Sequence, residues 1–166
     1  GRSSRPARFR EPTRARQPGQ VIDSHCHLAD PAFAADLDDV IRRAHEAGVR
    51  DALCVLALGD ASESSQADLV RRRWPGVRFA LGVHPHQAGG FAGRVADLAP
   101  ALGAALPRLA GACAIGEIGL DYHYDLSPRD AQRDVFRAQV RLARERGLPI
   151  VVHTREADED TVAIID

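Results

Sequence analysis

Two histidines one residue apart, His25 and His27, follow a short apolar run in Val-Ile-Asp-Ser-His-Cys-His. On a strand, side chains i and i+2 share a face, so both imidazoles can point at one metal ion while Cys26 points away. Comparable residues recur downstream: His84 and His86, then Glu117 and Asp121, then His153 and Arg155, each group at or just beyond an apolar run. A single His-x-His pair arises readily by chance. Four strand ends that deliver histidine or glutamate to one rim do not, and the pattern points to metal chemistry. Glu117 adds a carboxylate to the imidazoles. It can bridge two divalent cations, and a two-metal site suits in-line attack of hydroxide on a phosphodiester.

The elements that must position these residues alternate in type. Apolar strand patterns cover residues 21–25, 51–58, 77–83, 112–115 and 149–153. Between them the sequence predicts helices. The first has Asp30 as N-cap and Pro31 in its first turn, and runs to about Ala47 before Gly48. Others span 63–74, ended by Pro75-Gly76, then 94–109, interrupted by Pro100 and Pro107, and 130–146, ended by Gly147; residues 156–165 begin one more. Strand, helix, strand in this order predicts parallel βαβ units. In barrels built of such units, sites form at the C-terminal ends of the strands, where these polar residues fall.

The chain has 166 residues, 45% of them hydrophobic, and a formal net charge of −1, which suits one domain with a real core. All its basic side chains except the histidines are arginines. Residues 1–20 differ from the rest: six arginines stand against Glu11, for a net +5, whereas residues 21–166 carry −6. They read as a disordered basic arm, with the folded domain expected over 21–166. Cys26, Cys54 and Cys113 lie inside apolar runs with no paired spacing, which predicts reduced core thiols and a cytoplasmic setting. No apolar run is long enough to cross a membrane, so no membrane partner is expected.

Four motifs resemble one family. Asp23-Ser24-His25-Cys26-His27-Leu28, Gly82-Val83-His84-Pro85-His86, Ala114-Ile115-Gly116-Glu117-Ile118-Gly119-Leu120-Asp121-Tyr122 and Leu148-Pro149-Ile150-Val151-Val152-His153-Thr154-Arg155-Glu156 are similar, in order and spacing, to those of the TatD metal-dependent deoxyribonucleases of the amidohydrolase-like superfamily. Gln132, Phe136, Gln139 and Leu142 also fit the family pattern. The resemblance implies an α/β fold, a TIM (β/α)8 barrel, and hydrolysis of DNA phosphodiester bonds, as an exonuclease, with two divalent ions (Mg, Mn or Zn). It implies that His25 and His27 hold one ion, catalytic Glu117 bridges, and His153 holds the second. His84, Asp121 and Arg155 are then expected to meet the substrate, with Arg155 steadying a phosphate.

The resemblance covers about the first five strands and the start of the next helix, so the barrel is expected to be incomplete here. A further histidine ligand after strand six and an aspartate after strand eight, the expected proton acceptor, have no counterpart. Five strands without closure leave two open edges, which predicts a completing C-terminal segment or self-association. The alternative functions are a non-catalytic metal-binding or assembly partner, and a hydrolase of the same superfamily acting on an amide or ester. His45, the Arg71-Arg72-Arg73 run and the Asp158-Glu159-Asp160 run read as solvated helix residues, and His123 as a group at the pocket edge.

Overall fold

The computed structural model describes residues 21–166, so the arginine-rich arm read over 1–20 lies outside the described residues. Five strands form one sheet in chain order, every neighbouring pair parallel: β1 (Val21–Cys26), β2 (Val49–Ala57), β3 (Val77–Gly82), β4 (Ala112–Asp121) and β5 (Ile150–Arg155). Helices α1 (Leu37–Glu46), α2 (Ala61–Arg73), α3 (Leu98–Ala105), α4 (Arg129–Arg146) and α5 (Asp158–Ile165) alternate with them. The sheet curls into the five-strand portion of a (β/α)8 barrel.

The period-2 alternation of the strands sorts their side chains into two layers. On the helix side, Cys54, Leu56, Phe79, Ile115 and Ile118 pack with Val70 of α2 and Phe136 of α4. On the concave side a smaller cluster joins Val55, Ala80 and Ala114 to Leu53, Cys113 and Val151. Cys26 joins the helix side, opposite the two histidines that flank it, with Cys54 as its register partner on β2. The two thiols are hydrogen-bonded, which lowers the pKa of Cys26 and, with burial, raises that of Cys54. No cysteine is in a disulfide.

Three elements differ from the sequence reading. Asp30 does cap a helical turn, its Oδ1 accepting from the Ala32 N–H at 2.8 Å, but that turn is a 3₁₀ segment (Pro31–Phe33) and α1 starts only at Leu37. Over 94–109 the helix proper is α3 alone. Pro100 sits in its first turn, where no N–H is needed, whereas Pro107 falls in the 3₁₀ turn that follows. Most consequential is β4, which runs on past Ile115 to Asp121 and so carries Glu117 within the strand. Gly116 and Gly119 break the apolar pattern there, and the β4–β5 register shifts between Ile115 and Ile118, as a bulge requires.

Gly119 is held at φ 149°, and a Cβ there would collide with the carbonyl oxygen of His153 on β5. Gly119→Ala is therefore expected to cost at least about 3 kcal/mol, read as a lowered urea midpoint, because both strain and backbone overlap oppose it. An unchanged midpoint would mean that β4 and β5 are not this close.

Helix α4 is amphipathic, buries one face and ends at Gly147 in the left-handed region. Two of its buried residues are polar. Gln139 Oε1 accepts from the Val83 N–H at 2.7 Å while its Nε2 donates to the Val83 carbonyl at 3.0 Å. Gln132 repeats this at β4, accepting from the Asp121 N–H at 2.8 Å and donating to the carbonyls of Asp121 and Ser127. Seven residues apart on one helix face, the two amides clamp the chain ends that lead into His84 and Asp121.

Candidate metal centre

His25 and His27 both turn to the concave face at the end of β1, as the i, i+2 rule requires, with Nε2 atoms 3.2 Å apart. Glu117 reaches toward them from the middle of β4: its Oε2 lies 3.3 Å from His25 Nε2, and its other oxygen, Oε1, lies 3.0 Å from His153 Nδ1 on β5. Donor atoms that share one ion at about 2.0–2.1 Å stand about 2.8–3.4 Å apart, from octahedral to tetrahedral coordination. The observed spacings match. Three groups of ligand-type side chains crowd together here, His25–His27–Glu117, His84–Glu117–His153 and His86–Asp121–His153, and Glu117 is common to the first two.

Proton accounting sharpens the picture. Asp121 is fully buried, and its pKa is held below the ordinary value of 3.8. Burial alone would raise it; the Tyr124 N–H and the rings of His86 and His153 override that by bonding to the carboxylate. Oδ1 accepts from the His123 and Tyr124 amides at 3.1 and 2.9 Å. Oδ2 faces His86 Nε2 at 2.9 Å and His153 Nε2 at 3.0 Å. An ionised carboxylate only accepts, so both Nε2 atoms carry the hydrogen. In neutral His153 the lone pair is then on Nδ1, aimed at Glu117 Oε1. Two acceptors face one another at 3.0 Å, an arrangement that suits a cation between them.

His84 is different. Its Nδ1 accepts from the backbone N–H of His86 at 3.2 Å, so in the neutral ring the hydrogen sits on Nε2, 3.4 Å from His153 Nδ1. His84 thus presents a donor, not a lone pair, to the centre. Burial, and then repulsion from His153, push its pKa down to about 4. In chelator-treated protein, His84 is expected to titrate near pH 4 by NMR. The unfolded chain takes that proton near 6.5, so His84's contribution to stability is full above that pH and is lost as pH falls toward 4. An imidazole titrating at 6.5 would overturn this.

Every residue anticipated from the sequence lies at this rim. His25, His27, Glu117 and His153 converge, and His84 lines a cavity of about 190 Å³ with His27, Glu63 and Glu117. Arg155, half exposed, places Nη1 3.9 Å from Asp121 Oδ2. Asp121 itself, anticipated as a substrate contact, has both oxygens engaged by the protein. His86, which the sequence places at the rim without a role, shares Asp121 with His153. Glu63 was missed: its Oε2 accepts the Ala57 N–H at the end of β2 at 2.6 Å. His123 pairs with Glu156 at 2.8 Å on the exposed edge.

The family model for TatD-related DNases matches residues 22–166. Curated relatives include an uncharacterised metal-dependent hydrolase, YabD, of Bacillus subtilis, 36% identical over 149 residues, covering 87% of this chain and 54% of its own. They also include a 3'-5' ssDNA/RNA exonuclease TatD of Erwinia tasmaniensis, 39% identical over 149 residues (87% and 54%), and a putative deoxyribonuclease, tatdn3, of Danio rerio, 39% identical over 150 residues (86% and 56%). The chain spans about half the length of these relatives. Among solved structures, the TatD homologue YJJV of Escherichia coli superposes with a TM-score of 0.70 at 29% identity, over 86% of this chain and 53% of that one. A TatD-family hydrolase of Entamoeba histolytica, at 22% identity and a TM-score of 0.71, shows the fold. With its four motifs on the strands and the family model spanning residues 22–166, this chain belongs to the TatD-related DNase family.

Proposed function

We propose that this chain supplies the two-metal side of a phosphodiesterase centre that cleaves single-stranded DNA from an end. The observation that carries the reading is Glu117, whose two oxygens face two separate imidazole sets at 3.3 and 3.0 Å. His25 and His27 would hold one Mg, Mn or Zn ion and His153 the other, with Glu117 between. Divalent ions in such a pair polarise the phosphoryl group and lower the pKa of bound water. The chain's own residues do the rest. His84 presents its Nε2–H to a non-bridging phosphate oxygen, and Arg155 adds a fixed positive charge beside it. Asp121, itself bonded to His86, holds His153 with its Nδ1 lone pair toward Glu117, where it could serve a metal ion.

The substrate class is supported by relatives named as an ssDNA/RNA exonuclease and as a putative deoxyribonuclease. The activity is proposed for the closed barrel, completed by a further segment or a second chain, because nothing among the described residues pairs with the outer edges of β1 and β5. Among those residues no helix is long and apolar enough to cross a membrane. Calorimetry with Mn²⁺ or Zn²⁺ tests the centre. Uptake by the 166-residue chain is expected to saturate, and the His25→Ala/His27→Ala variant to lose one site; equal uptake by the variant would sink the assignment.

A further inference from the structure

The chain has two tyrosines, both in the segment that leaves β4, and they are used differently. Tyr122 donates its hydroxyl to Asp160 of α5, receives a hydrogen bond from Arg133 of α4 and lies beneath the Arg129 guanidinium, 4.4 Å from the ring centre. It fastens two helices. Tyr124 is 56% exposed and has no such work, and Leu126 beside it is 65% exposed. Large exposed apolar side chains are few among the described residues, and Tyr124 stands at the rim of the metal centre.

Four contacts hold Tyr124 where a substrate would meet it, among them the His123 ring, edge-to-face at 4.8 Å. Its amide donates to Asp121 Oδ1 at 2.9 Å, which ties the loop to the carboxylate that orients His153. Its ring meets the His86 ring edge-to-face at 5.8 Å, and His86 in turn stands 6.1 Å from His153, so one imidazole separates the tyrosine from the proposed ligands. The Arg155 guanidinium lies over the ring at 5.1 Å. A fixed, half-exposed aromatic ring with an arginine against it is the arrangement by which proteins stack bases of single strands without reading their sequence.

We propose that Tyr124, backed by Arg155, is the stacking platform for the nucleobase next to the scissile phosphate. This rests on the phosphodiesterase reading above: the phosphate lies at the histidine and Glu117 cluster, and the base turns outward onto the ring. Stacking is tolerant of base identity, because every base offers a π face, which suits an enzyme that digests strands from an end.

The test uses the full chain loaded with Mg²⁺ and two probes linked by phosphorothioates so that turnover is slow. One is 5'-phosphorylated tetrathymidylate; the other has the same backbone with abasic sites. The wild type is expected to bind the base-bearing probe about tenfold more tightly than the abasic one, the range expected for one stacked base. Tyr124→Ala is expected to erase that preference without changing affinity for the abasic probe or the melting temperature. Tyr124→Trp is expected to keep the preference, and its indole emission to be quenched by the thymine probe over the constant signal of buried Trp74. If wild type and Tyr124→Ala bind both probes equally, the platform is overturned and the phosphodiesterase reading stands. If neither probe binds the wild type, both fall.

Discussion

Glu117→Ala is expected to reduce Mg²⁺- or Mn²⁺-dependent cleavage of end-labelled single-stranded DNA by about three orders of magnitude or more, with chelator abolishing what the wild type does. The reason is geometric. Glu117 alone among the described residues touches both imidazole sets, so losing its carboxylate weakens both proposed ion sites together. A thousandfold loss corresponds to about 4 kcal/mol of transition-state stabilisation, which is in the range of metal-derived charge stabilisation. The assay compares the closed barrel, completed by a further segment or a second chain, with its Glu117→Ala form, and takes residues 1–166 alone as a third arm. The short form is expected to be slower by orders of magnitude, because groups that act as a unit are not additive. Wild-type rates in the Glu117→Ala protein would refute the bridging role. A protein inert on DNA but active on an amide would keep the fold and overturn the proposed substrate.

Asp121→Asn should separate orientation from chemistry. An amide in place of the carboxylate has one acceptor oxygen for four donors, and its NH₂ cannot receive the Nε2–H groups of His86 and His153. If His153 responds by moving its hydrogen to Nδ1, it no longer offers a lone pair beside Glu117. The expected result is a loss of ten- to a hundredfold in affinity for one of the two metal equivalents, the size typical of removing a group that orients a ligand. Nitrogen chemical shifts should report the tautomer directly. A purely structural role would leave the tautomer of His153 unchanged. Stability should fall as well, by about 2–4 kcal/mol near neutral pH, since the variant strands buried donors. The pH dependence has a definite sign. The folded-state pKa of Asp121 lies below 3.8, so its contribution is full above that pH and is lost as pH falls below it. The gap between wild type and Asp121→Asn in urea midpoint should therefore narrow in acid.

Much of the site was legible because its first layer of information is local. The i, i+2 spacing of His25 and His27 follows from the strand period, and so does Cys26 on the opposite face. The order of strands and helices, the cap at Asp30 and the stop at Gly147 follow from turn and cap chemistry within a few residues. Where local rules competed, the boundaries moved. The apolar run stops at Ile115, yet Gly116 and Gly119 are the places where β4 can pass close to β5, and the pairing itself carries the strand through to Asp121.

By itself, then, the sequence determined a parallel βαβ chain with His25, His27, His84, Glu117 and His153 on one rim, since each depends on periodicity and nearest neighbours. Tertiary structure alone decided what each group does there. That Glu117 splits its oxygens between two histidine sets, that Gln132 and Gln139 clamp the leads into Asp121 and His84, and that Asp121 serves two imidazoles all depend on partners from other strands and helices. The hydrogen on His153 is placed by a carboxylate 32 residues away, and that on His84 by a backbone amide two residues on. An imidazole has two nitrogens and one mobile proton; which nitrogen keeps its lone pair is set by what the folded chain packs against it.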